Sequence, residues 1–191
     1  MPFQSKKKRN DKMRIKTSQI TITAFFVALC AIMAQISFPM PLSAVPFSFG
    51  IMAVFITGAL LPPIEAVTAV AVYIALGAVG MPVFSLFRGG FSVIIGPTGG
   101  FLLGYILVAL TVSLLTCRLK QITFKKVFAI MLMALIICYI SGLPYFAYST
   151  GNGFVYSVLY CAYTFLLPDM IKAALGAYLA VAIRKNIQFK K

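Results

Sequence analysis

Between residues 18 and 183 the chain is a succession of apolar runs, each closed by proline, by glycine or by a cluster of basic residues. A helix needs about 20 apolar residues to cross a bilayer. The punctuation predicts helices over 18–38, 47–61, 64–79, 101–117 and 127–146, and a last one that begins between 153 and 168 and ends near 183. Pro39 and Pro41 stop the first, Pro62-Pro63 the second, and Gly80 with Pro82 the third. Of the 191 residues 61% are hydrophobic and 10% charged, whereas about a quarter of a soluble domain is charged. The expected fold class is therefore an all-α integral membrane protein. One six-helix membrane domain, 18–185, lies between a basic N-terminal tail, 1–17, and a basic C-terminal tail, 186–191. No stretch is left for a second, soluble domain.

The second and third runs are short for full spans. Merged into one helix kinked at Pro62-Pro63, they would leave five spans. The cations decide between the two counts. They cluster at Lys6, Lys7, Lys8, Arg9, Lys12, Arg14 and Lys16, at Arg118, Lys120, Lys125 and Lys126, and at Arg184, Lys185, Lys190 and Lys191. Six spans put all three clusters on one side, as the positive-inside rule requires, and five would split them. Both termini are thus expected in the cytoplasm, with the protein multi-pass in the bacterial cell (cytoplasmic) membrane. The net charge of +14 then reflects topology and contact with anionic lipid, not nucleic-acid binding. The first run follows a basic start, as in a signal peptide. It is longer than an h-region and lacks a small-residue cleavage site, so it reads as a retained helix.

With this topology the segments 39–46, 80–100 and 147–156 face outward. The 80–100 interval is rich in glycine and proline yet carries Met81, Val83, Phe84, Leu86, Phe87, Phe91, Val93, Ile94 and Ile95. It is either a glycine-softened connection or a lid-like loop between helices 3 and 4 that dips into the bundle, where irregular backbone is tolerated beside a cavity. Arg88 is its one cation, either a ligand or gate residue or a side chain reaching the interface.

Only Asp11, Glu65 and Asp169 are acidic. Glu65 follows Pro62-Pro63 and suits the positive end of a helix dipole. Asp169 follows Pro168, as in a first helical turn, and stands three residues before Lys172, on the same helix face. A charge within a membrane helix is costly and marks a candidate functional site. The pair is either an internal lock or a clamp in which Asp169 accepts N–H groups and Lys172 donates to a carbonyl or carboxylate. Tyr145, Tyr148, Tyr156, Tyr160 and Tyr163 form an aromatic belt or the wall of a pocket for a ring-shaped solute. Cys30, Cys117, Cys138 and Cys161 read as packing residues. There is no histidine, no Gly-x-Ser-x-Gly and no phosphate-binding G-x-x-x-x-G-K-[ST]. The chain is expected to be no enzyme, to hold no metal or other cofactor, and to draw energy from partners.

Three stretches together resemble a known family: Val45-Pro-Phe-Ser48, residues 71–84 running on to Gly96-Pro-Thr-Gly-Gly-Phe-Leu-Leu-Gly104, and Pro168-Asp-Met-Ile-Lys-Ala-Ala-Leu175. They are similar to BioY, the biotin-binding S component of energy-coupling factor (ECF) vitamin transporters. The resemblance implies a high-affinity substrate-capture subunit that takes up biotin with a shared ECF transmembrane subunit and two ATPase subunits. It implies that Ala24 and Ala28, small residues four apart on helix 1, form the partner-docking face. It makes Asp169, Lys172 and Arg88 substrate-binding residues, with Ser92, Tyr163, Phe84, Gly89 and Gly90 completing the candidate set. Leu86-Phe87 stand where the family's glycine-rich segment has its first two glycines, Gly50 stands in place of a common Gln, and Leu167-Pro168 replaces the commoner Pro-x before Asp. The alternatives are an S component for another vitamin and a stand-alone secondary transporter.

Overall fold

The computed structural model describes residues 17–40 and 45–186. The basic tails, Thr17 and Asn186 apart, lie outside the described residues. The chain is mostly helical. Helix α1, Thr17–Gln35, leads into a short antiparallel pair, β1 (Ser37–Phe38) with β2 (Phe47–Ser48), in which Ser37 faces Ser48 and Phe38 faces Phe47. Then follow α2, Gly50–Leu60, and α3, Pro63–Ala78. A 3₁₀ turn at Ser85–Phe87 and a one-turn helix α4, Phe91–Ile95, precede the long helices α5, Gly99–Cys117, and α6, Phe124–Thr150. The last helical stretch starts as α7, Phe154–Ser157, widens into a π turn at Val158–Tyr163, and continues as α8, Thr164–Asn186.

Among the described residues, α1, α5, α6 and α8 are long and apolar enough to cross a membrane. Helices α2 and α3 are shorter. At 1.5 Å per residue they reach about 17 and 24 Å, against a hydrocarbon core about 30 Å thick. Every residue of α2 is buried. A helix apolar on all sides belongs in an interior, and α2 packs against α1, α3, α5 and α8 at the centre of the bundle. Thr57 caps its own turn by donating to Ala53 O (2.7 Å), and Ser113 of α5 donates to Leu61 O (2.6 Å) where α2 ends.

The α5–α6 interface is built on glycine. A Cβ on Gly100 would run into Tyr145 and Ser141, one on Gly104 into Ser141, and one on Gly142 into the Phe101 ring. Small residues allow such close approach in membrane bundles, where lipid supplies no hydrophobic drive between helices.

Helix directions alternate, so the bundle has two unlike ends. Arg118, Lys120, Lys125, Lys126, Arg184 and Lys185 gather where α5 and α8 finish and α6 begins. Glu65 lies in the first turn of α3 at that same end, and Gln19 Nε2 donates to its Oε1 (2.8 Å). Gln35, Gly50, Gly99 and Thr150 mark the other end.

Three expectations are corrected. Pro144 and Pro168 both lie inside helices. Helix α6 runs four residues past 146 and closes on Gly151 in the left-handed conformation (φ 69°), a usual helix stop. Asp169 is not in a first turn, because the helix is already under way at Phe154; the π turn lies just before the turn in which Pro168 withholds its N–H. Cys117 is exposed at the end of α5, unlike the buried Cys30 and Cys138; the Cys161 side chain lies outside the described residues.

Gly100→Leu and Gly104→Leu should each lower stability by about 1–3 kcal/mol through overpacking. Gly153→Ala, where a Cβ meets nothing within 4 Å, should stay within about 0.5 kcal/mol of the parent. Thermal midpoints of the purified chain in one detergent check both.

Candidate substrate site

Two adjoining cavities, each about 450 Å³ counting the open mouth, sit at the end of the bundle away from the basic clusters. Val45, Pro46, Ser48, Phe101 and Tyr105 line both, so the two are neighbouring compartments. The missing length of α2 creates them. Just before α2 begins, the 45–48 segment supplies Val45, Pro46 and Ser48 to the wall.

One compartment is lined by Asp169 and Lys172 of α8, with Tyr139 and Cys138 of α6. Lys172 Nζ donates to Asp169 Oδ1 at 2.8 Å, and the Tyr139 hydroxyl donates to Asp169 Oδ2 at 2.8 Å. Asp169 is 7% and Lys172 3% exposed. Among the described residues this is the one ion pair. Lys172 Nζ also lies 3.8 Å from the centre of the Phe47 ring, and Phe47 meets Phe49 edge-on at 5.4 Å. A cation over an aromatic face gains further when desolvated. The carboxylate and the ammonium are thus both held in fixed positions on the cavity wall.

The other compartment is lined by Phe84, Ser85 and Arg88 from the 80–90 loop, with Val93 and Thr98. Phe84 is 2% exposed, meets Tyr73 edge-on at 5.6 Å, and fills the space left by Gly77. Arg88 is exposed at the cavity margin.

Phe84 and Arg88 therefore line one compartment, and Asp169 and Lys172 its neighbour. Gly89 and Gly90 line neither compartment; they shape the loop. A Cβ on Gly89 would strike the Met81 carbonyl, and Gly90 (φ 99°) donates to Gly77 O at 2.7 Å. Two further candidates line neither compartment: Ser92, exposed on α4, and Tyr163, 82% exposed. The tyrosine cluster divides likewise. Tyr148 is 87% exposed, Tyr156 and Tyr160 stack on each other at 4.1 Å, and Tyr145 donates to Ile94 O at 2.9 Å. The aromatic lining comes instead from Phe84, Phe101, Tyr105, Tyr139 and Phe165, of which only Phe84 was a candidate site residue in the sequence reading. Mid-helix tyrosines such as Tyr105 and Tyr139, each with a hydroxyl to satisfy inside an apolar bundle, were the available signal.

The family model of BioY matches residues 6–189, nearly the whole chain. The chain belongs to the BioY family. It is 34% identical to the biotin transporter BioY of Thermotoga maritima, across 87% of this chain and 96% of that one. It is 30% identical to the probable biotin transporter BioY of Pyrococcus horikoshii, across 90% and 99%. Its fold matches that of the S-component for biotin from an ECF-type ABC transporter, solved at 2.1 Å, with a TM-score of 0.83 at 23% identity, covering 89% of this chain and 92% of the other. This BioY-family chain is a membrane protein whose apolar helices surround a polar cluster.

Truncating one partner of a buried ion pair strands the other charge and costs about 3–5 kcal/mol. Lys172→Met should therefore destabilise the chain by about that much, whereas Asp169→Leu combined with Lys172→Met should cost far less. Denaturation of the two variants side by side checks this. Equal losses would show that the pair is not coupled.

Proposed function

We propose that this chain is the substrate-capture subunit of an ECF-type transporter and that its solute is biotin. The observation that carries the reading is the pairing, in two neighbouring compartments, of a fixed Asp169–Lys172 clamp with a separate cation, Arg88, in a protein of the BioY family. Biotin has a ureido ring with two N–H donors and a carbonyl, an apolar thioether ring and a carboxylate tail. Asp169 suits the N–H groups and Lys172 the adjacent carbonyl. Phe101 and Tyr105 suit the apolar body. Arg88, in the other compartment, suits the carboxylate.

On this reading six helices cross the membrane, α2 and α3 among them, with both termini in the cytoplasm and the cavity facing outward. The position of the basic clusters at the opposite end of the bundle supports that orientation. The loop 80–98 then covers the cavity mouth. The chain carries no nucleotide-binding motif, so an ECF transmembrane subunit and two ATPases supply the energy. Ala24 and Ala28 are exposed on α1, as a close-packing docking face requires.

Calorimetric titration of the purified chain with biotin, thiamine and riboflavin tests the solute. Heat from biotin alone is expected, and heat from another vitamin instead would overturn it. Uptake by the single chain in liposomes driven by an ion gradient would overturn the class. Asp169→Asn should weaken biotin binding by roughly 10- to 100-fold, because a charged acceptor is worth more than a neutral one. Unchanged affinity in a folded variant would remove Asp169 from the site. Ala24→Trp and Ala28→Trp should leave biotin binding near the parent level while abolishing uptake with the ATPase module co-expressed.

A further inference from the structure

The turn at 84–88 adopts a backbone that its own residues do not favour. Leu86 (φ 61°, ψ 35°) and Phe87 (φ 56°) are both left-handed. Cβ crowding disfavours that region for residues other than glycine, and two in succession are rarer still. Side-chain burial does not compensate, since Phe87 is 72% exposed and Leu86 is not buried. A strained backbone persists only where its surroundings over-determine it.

The surroundings here are the last turn of α1 and the residues just beyond. Gln35 Oε1 accepts the Phe87 N–H (3.0 Å), while Gln35 Nε2 donates to Pro82 O (2.9 Å) and to Phe84 O (3.2 Å). One amide thus uses its acceptor and both donors on a single loop. Ser37 Oγ accepts the Leu86 N–H (2.8 Å) and donates to Gln35 O (3.2 Å). Both left-handed residues have their N–H groups held by α1-side side chains. The chain then closes on itself, with Phe84 N–H donating to Arg88 O (3.0 Å). Ser37 also faces Ser48 across the β pair, and Phe49 N–H donates to Ile36 O (3.1 Å). The end of α1 therefore ties together the two segments, 45–49 and 82–88, that wall the cavity.

We propose that Gln35 and Ser37 are positioning residues of the binding site: their hydrogen bonds impose the left-handed turn at Leu86-Phe87 and so set Phe84 and Arg88 in the cavity wall. The ligand part of this proposal rests on the biotin reading. Neither residue lines the cavity, so their effect on binding passes through the loop.

Two measurements on the purified full chain test it. The first is amide hydrogen exchange without added ligand. In Gln35→Ala, exchange should accelerate across 82–88 and stay at the parent rate in α5 and α6. Unchanged exchange in 82–88 would overturn the proposal whether or not biotin is the solute. The second is biotin titration. Gln35→Ala should lose roughly 10- to 100-fold in affinity, and Ser37→Ala, a milder change that keeps the amide, several-fold less. Adding Phe87→Gly to Gln35→Ala should recover part of the loss, because glycine takes positive φ without penalty. A purely structural Gln35 would show a lower thermal midpoint, parent affinity in the folded fraction and no rescue by glycine, and that outcome would overturn the positioning role. If the parent chain gives no biotin heat, the solute assignment fails, while the exchange result still decides whether Gln35 and Ser37 impose the turn.

Discussion

Inside a bilayer each backbone N–H and C=O must find its partner within the protein, and the rest of this molecule follows from how that is achieved. Helices α1, α5, α6 and α8 meet the demand by their own ladders. Helices α2 and α3 fall short of the membrane thickness, and irregular backbone fills the remainder at one end. Side chains supply the missing partners there. Gln35 and Ser37 hold the 82–88 turn, Tyr145 donates to Ile94 O, and Thr98 donates to Val93 O (3.3 Å). The cavity is the space that regular helices do not fill, and the groups that make its irregular walls tolerable are also what gives it a defined shape.

The Asp169–Lys172 pair sits on a rigid helix against this shaped wall. A buried pair contributes little net stability, since desolvation offsets most of the attraction. Tyr139 on the carboxylate and Phe47 under the ammonium fix both groups in place. A ligand meeting charges already held in position loses less freedom on binding than one that must order them.

Much of this was legible in the sequence, for local physical reasons. Proline pairs and basic clusters located the helices because they interrupt apolar runs. Pro168 misled because a proline inside a long helix withholds one hydrogen bond without ending the helix, and packing of α8 against its neighbours carries the chain past it. Asp169 and Lys172 stood out because charge is scarce in such a chain. Gln35 and Ser37 did not, since a neutral polar residue near a helix end looks like ordinary interface. Their role depends on a loop about fifty residues away. Tyr163 was placed by its sequence neighbourhood, but it is 82% exposed and lines neither compartment; Tyr139, on another helix, is the tyrosine that reaches Asp169.

The distribution of charge along the cavity has an electrical consequence. Asp169 and Lys172 cancel, and Arg88 leaves the wall with one positive charge in excess. A singly charged carboxylate cargo brings the wall and its load to neutrality. The membrane potential acts on charge at about 2.3 kcal/mol per elementary charge per 100 mV. On the proposed biotin reading the charges of the wall and of its solute sum to zero, so the voltage does no net electrical work on that group of charges.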